Sequence, residues 1–231
     1  MIKALFWKEW CEQRWKLAYG CVLLMGFVAV GLHSRIVQDE VIVAMASVGG
    51  AFLMPLLVGM GFVAAERSDG TLGMLLALPV RSWKIFAVKM AMGILVFVGP
   101  IAGCMALSLT MAAGREMSAS RIVVPYLGGV AFSIVMLVWM VAFSIRQPSE
   151  ARAGLVGIAV FMVWVFMIFL DESVWLLDGS SLVITPFGIF DCTLDRNLDI
   201  LPDVIQVQLA MVICLLVWAA HRFGNLGRAK E

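Results

Sequence analysis

The sequence predicts an all-α integral membrane protein of six transmembrane helices, with an interfacial amphipathic helix at its start and a short helix in the loop between spans two and three. Three observations predict this. Hydrophobic residues make up 62% of the 231 positions and charged residues 14%, with a mean hydropathy of +0.99, against about 25% charged in an average soluble domain. The apolar residues gather into six runs, each long enough for a helix to approach or exceed the ~20 residues that cross a bilayer. The charges collect at the junctions between runs. No internal repeat or low-complexity segment divides the chain, so residues 1–231 read as one membrane domain.

Residues 2–15 come first. On a helical projection Phe6, Trp7, Trp10, Cys11 and Trp15 share one side, and Lys8, Glu9, Glu12 and Lys16 fall on the other, with Glu12 and Lys16 at a favourable four-residue spacing. Tryptophans on a helix with basic residues suit the headgroup layer. A helix lying along the membrane face and entering the first span through an elbow is expected. This leader is too long and too mixed for a cleavable signal peptide. The spans follow at 17–32, 41–65, about 86–113, 122–145, 153–170 and 204–220. Lys89 is the one charge inside a span. It lies about one turn in, where its side chain can reach back to the interface, and it reads as an anchor. Pro55, Pro100 and Pro125 lie within spans, and Gly99 and Gly103, four residues apart, permit a close helix contact.

The junction after span two, residues 66–84, is unusual. Its centre, Thr71 to Leu78, carries four leucines and a methionine; Ser68 or Asp69 can cap a helix start, and Pro79 tends to end a helix before it. A short apolar helix is expected there, projecting from the membrane. Glu66 and Arg67 at its base read as exposed charges whose ion pairing contributes little.

Basic residues set the orientation. Lys3, Lys8, Arg14, Lys16, Arg67, Arg81, Lys84, Lys89, Arg146, Arg152, Arg222, Arg228 and Lys230 fall on one side, and Arg35, Arg115, Arg121 and Arg196 on the other. The majority side is cytoplasmic, with both termini inside, in the cytoplasmic (inner) membrane of a cell. The long outer loop, 171–203, is acidic. Its centre, 180–190, is apolar but too short to cross, so it is expected either to dip back into the membrane, with Pro186, Phe187 and Phe190 as gate candidates, or to rest on the outer interface. The net charge of +1 serves topology and gives no reason to expect nucleic acid.

The pattern for catalysis is missing. His33 and His221 lie at opposite faces, the five cysteines are scattered, and no metalloprotease, nucleophile-elbow or paired-cysteine motif occurs. Sixteen methionines spread without clustering read as adaptable packing, and no metal site is expected. No Gly-Lys dipeptide exists, so the chain holds no phosphate-binding P-loop and is not expected to be an enzyme or to hydrolyse ATP alone.

Glu66, Gly70-Thr71-Leu72, Leu75-Leu76, Leu78-Pro79-Val80, Arg81 and Lys89, together with the opening Phe6-Trp7-Lys8-Glu9-Trp10, the six spans and the internal termini, resemble the type-2 permeases of ATP-binding-cassette transporters. Where that family often has an acidic residue this chain has Gly73, which removes any salt bridge made at that position. The resemblance implies that residues 66–84 form a coupling helix seated in a separate ATPase subunit, with Glu66, Gly70, Thr71, Leu72, Leu75, Leu76, Leu78 and Pro79 making the connection and the N-terminal helix beside it. It implies a second permease subunit, identical or not, contact with membrane lipid, and ATP and Mg held by the partner with no cofactor on this chain. The function implied is export across the membrane driven by ATP. Two alternatives stand beside it: a membrane anchor or assembly factor that recruits an ATPase without forming a path, and a membrane-embedded enzyme.

Overall fold

The computed structural model describes residues 2–34, 37–113, 117–174 and 201–226; the outer segment 180–190, with Pro186, Phe187 and Phe190, lies outside them. The described residues form eight helices: α1 (Ile2–Ser34), α2 (Asp39–Met60), α3 (Ala64–Ser68), α4 (Leu72–Leu76), α5 (Ser82–Ala112), α6 (Ala119–Arg146), α7 (Glu150–Val174) and α8 (Leu201–Leu226). Five segments are long and apolar enough to cross a membrane: Lys3–Ser34, Asp39–Ser68, Ser82–Ala112, Ala119–Arg146 and Pro202–Leu226. α7 covers the position of the expected span 153–170. Among the described residues every regular element is a helix, and the long apolar helices make this a membrane-embedded protein.

One expectation fails at the start. Residues 2–15 and 17–32 belong to a single continuous helix of 33 residues, and no elbow separates them. At 1.5 Å per residue α1 is about 50 Å long, against ~30 Å of hydrocarbon, so roughly two-fifths of it extends past the apolar layer without any turn. Phe6, Trp7 and Trp15 are exposed along this extension and Trp10 is half-buried. The charged side also differs from expectation. Lys8 pairs with Glu12, and Lys16 reaches across to α2 instead of to Glu12. Glu9 lies on the buried face, in line with Leu5, Leu24, Val28 and Leu32, because that face of α1 is the one that packs on the other helices.

α1 packs chiefly on α5 and α2 chiefly on α6, while α8 lies on α6 and α5, and α7 on α2 and α6. The pair of small residues on α5 faces α1 within the chain: a Cβ on Gly99 would stand 3.0 Å from Leu17, and one on Gly103 would stand 3.2 Å from Met25. Val96, Phe97 and Ile101 of α5, Val28 and Leu32 of α1, Tyr126 and Leu137 of α6 and Phe223 of α8 are among the side chains sealed in the core. Tyr126 and Ser108 hydrogen-bond at 3.0 Å, which satisfies the two buried hydroxyls. On the opposite side from the loop, Arg121 at the start of α6 pairs with Glu40 at the start of α2.

Candidate functional site: the loop 66–84 and the charges beneath it

Helix α2 ends at Met60, and its last carbonyls need partners. They find them in two other helices and in the break that follows. Lys16 of α1 donates to the Leu57 carbonyl at 3.1 Å, the Phe62 amide to that of Gly59 at 3.2 Å, and the Ser144 hydroxyl of α6 to that of Met60 at 3.2 Å. The same Ser144 oxygen accepts the amides of Val63 and Ala64, both at 3.0 Å, at the start of α3. One hydroxyl thus joins two helices across a three-residue break, using its one donor and both lone pairs. Replacing Ser144 with Ala is expected to leave two buried amides and one carbonyl unpaired and to cost about 1–3 kcal/mol, read as a lower thermal midpoint in detergent. A Ser144→Ala protein as stable as the parent would show that the break is held by other means.

α3 is a single short helix. It ends at Ser68 with Asp69 as its C-cap, and Gly70 follows with a φ of +72°, in the left-handed region that glycine enters without steric cost. α4 then spans only Leu72–Leu76, with Thr71 at its N-cap, so the expected cap at Ser68 or Asp69 is not used: Ser68 donates back to Ala65 and Asp69 closes α3. The Thr71 hydroxyl donates to the Glu66 carbonyl at 3.4 Å. α4 stops three residues before Pro79.

The apolar side chains of this loop divide into two sets. Leu75 is buried in the protein's own main core, with Leu72, Leu76 and Val80 packed against it. Gly73, Met74, Ala77, Leu78 and Pro79 face outward, and Met74 is 78% exposed. Four leucines in a row of eight looked alike in sequence; the amphipathic turn separates them into an inner and an outer ridge. Leu75 therefore serves the fold, and Met74 and Leu78 are the large apolar groups on offer to a partner.

Glu66 is the centre of the base. Its carboxylate is buried, and its Oε1 lies 2.7 Å from Lys8 Nζ and 2.9 Å from Lys89 Nζ. Lys89 Nζ is also 2.9 Å from Glu9 Oε1. Lys8 completes the group with Glu12 at 3.0 Å and Glu9 at 3.6 Å. The reading of Lys89 as an interfacial anchor is thus wrong: its side chain is 4% exposed and sits between two buried carboxylates. Two carboxylates in reach offset part of the cost of burying it. Phe62 lies beside it, with the ring centroid 5.8 Å from Nζ, and Phe86 and Phe223 continue the row of ring contacts. The oxygens of Glu9, Glu12 and Glu66 come within 4.8 Å of one another, a spacing at which carboxylates can share a cation; here the ammonium groups of Lys8 and Lys89 supply the positive charge.

Arg67 also departs from expectation. Its guanidinium donates to the carbonyls of Gln147 at 2.7 Å and Ile145 at 3.0 Å, closing the C-terminus of α6. A cation at that end also opposes the helix dipole. Glu66 and Arg67 are consecutive and point to different helices: the first to α1 and α5, the second to α6.

Of the residues singled out in sequence, the structure brings Glu66, Leu72, Leu75 and Leu76 into contact with the bundle and leaves Thr71, Leu78 and Pro79 at the surface. Sequence reasoning missed Glu9, Lys8 and Ser144. The signal for Glu9 was its four-residue spacing from Leu5 and, further along, that of Leu24, Val28 and Leu32. No protein-family model matches the chain, and no curated protein does either.

Proposed function

We propose that this chain is the permease subunit of an ATP-driven transporter of the ATP-binding-cassette type, an exporter in the cytoplasmic membrane. Residues 66–84 dock onto a separate ATPase subunit that carries ATP and Mg, and a second permease subunit, identical or not, completes the path. The observation that carries this reading is the outer ridge of the loop, Met74, Ala77 and Leu78, projecting apolar surface on the side that holds most of the basic residues. An exposed apolar ridge rimmed by Arg81 and Lys84 fits a partner groove better than water. The base of the loop favours a transmitting permease over a passive anchor. Its ties run through Glu66 to α1 and α5 and through Arg67 and Ser144 to α6, so a push on the loop reaches three of the long helices.

The test is Met74→Asp with Leu78→Asp, both on the outer ridge and outside the core. The tagged full-length chain is purified from its native membranes and the captured proteins are identified by mass spectrometry. The parent should retain an ATP-binding-cassette ATPase, and the variant should lose it by about 10-fold or more, since each anchor removed from a groove forfeits on the order of 1.5–3 kcal/mol. Equal capture by parent and variant, or no such ATPase with the parent, overturns the reading.

A further inference from the structure

The cluster of charges beneath the loop is more than a fastening, because its members belong to three elements and Glu9, Glu66 and Lys89 among them are sealed. Lys8 and Glu9 come from the first turns of α1, Glu66 from α3, and Lys89 from the start of α5, and the contacts between them run from 2.7 to 3.6 Å. Buried ion pairs resist separation, because pulling one partner away leaves the other charge uncompensated in a dry site. The ties to α6 are of another kind. Ser144 bonds to the Met60 carbonyl and to the amides of Val63 and Ala64 on the two sides of the break, and Arg67 bonds to the terminal carbonyls of α6. These are hydrogen bonds to backbone groups, without a paired buried charge on either side, and they hold the base of the loop to α6 with Phe62, Val63 and Ala64 buried between.

The geometry points to Lys8, Glu9, Glu66 and Lys89 as a strut that makes the N-terminal turns of α1 and the start of α5 move with the loop when the ATPase closes. This rests on the docking reading above. It assigns Lys8 and Glu9 as positioning residues: they touch neither partner nor substrate and act by carrying the loop's displacement to α1. Severing α1 from the strut requires removing both. Lys8→Gln with Glu9→Gln does so and leaves Lys89 and Glu66 as a balanced one-to-one pair, so no lone charge is buried. Lys89→Arg is the conservative control, keeping a cation between the carboxylates.

The experiment uses the full chain in complex with its captured ATPase, with the five native cysteines replaced. Spin labels are placed in pairs at Ala77 and Arg222, and at Ala4 and Arg222; all three positions are exposed, on the loop, α8 and α1 respectively. Distances are measured by pulsed electron resonance without nucleotide and after trapping with ATP, Mg and vanadate. Both pairs should shift in the parent and in Lys89→Arg. In Lys8→Gln/Glu9→Gln the Ala77 shift should remain and the Ala4 shift should be lost. An Ala4 shift that survives in the double variant overturns the strut, as does an Ala77 shift in the parent with Ala4 still. Absence of both shifts in the parent overturns the docking reading and the strut with it.

Discussion

Replacing Lys89 with Met should destabilise the protein by about 3–5 kcal/mol, the cost of leaving buried carboxylates without their cation. Methionine matches the length of the lysine stem, so packing is nearly conserved and the effect is electrostatic. Glu9 and Glu66, both sealed, would face each other with only the half-exposed Lys8 between them. Thermal unfolding in detergent, followed by size-exclusion chromatography, should show the midpoint fall well below that of the parent. The second step separates charge from shape. Adding Glu9→Gln to Lys89→Met removes one of the stranded carboxylates and leaves Lys8 opposite Glu66, so part of the loss should return. The two substitutions share a partner and are not additive; their coupling is the measure of the pair. A Lys89→Met protein as stable as the parent would mean that the ammonium group is solvated and that the cluster does not close.

How much of this was legible in the sequence depends on which property carried it. The spans were legible because hydropathy is a property of a continuous stretch: the apolar runs at 41–65, 86–113 and 122–145 coincide with α2 and the break after it, α5 and α6. The apolar loop helix was legible for the same reason, although α4 is shorter than expected and starts from Thr71. The partners of charges were not legible. Glu9 and Glu66 are 57 positions apart, and a glutamate between two tryptophan-rich turns carries no mark to say whether it faces water or Lys89. The helix–elbow boundary near residue 16 was misread because a charge beside an apolar run resembles an end, whereas the hydrogen bonds of α1 pass through Trp15, Lys16 and Leu17 without regard to side-chain polarity. Arg67 could not be read because its acceptors are backbone carbonyls, which every residue possesses.

Leu75 is the residue on which fold and docking divide, and Leu75→Asp is expected to act on the fold. In sequence it stands in the middle of the apolar turn and reads as an anchor for the ATPase groove. In the structure it is 5% exposed and packed into the main core. Leu75→Ala should cost about 2–5 kcal/mol through lost contacts and a residual cavity. Leu75→Asp should cost more, because the carboxylate must either be buried without a counter-charge or pull α4 away from the bundle. Either response frees the chain between Gly70 and Ser82. Limited trypsin treatment should then cut at Arg81 and Lys84 many times faster than in the parent, before any ATPase is added. Met74→Asp places the same charge one residue earlier, at 78% exposure, and should leave both the thermal midpoint and the rate of cleavage within the small range of ordinary surface changes, about 0.5 kcal/mol. The contrast between neighbours is the decisive feature: a loop that presented Leu75 to a partner would show normal cleavage for both variants in the isolated permease and loss of the ATPase for Leu75→Asp alone.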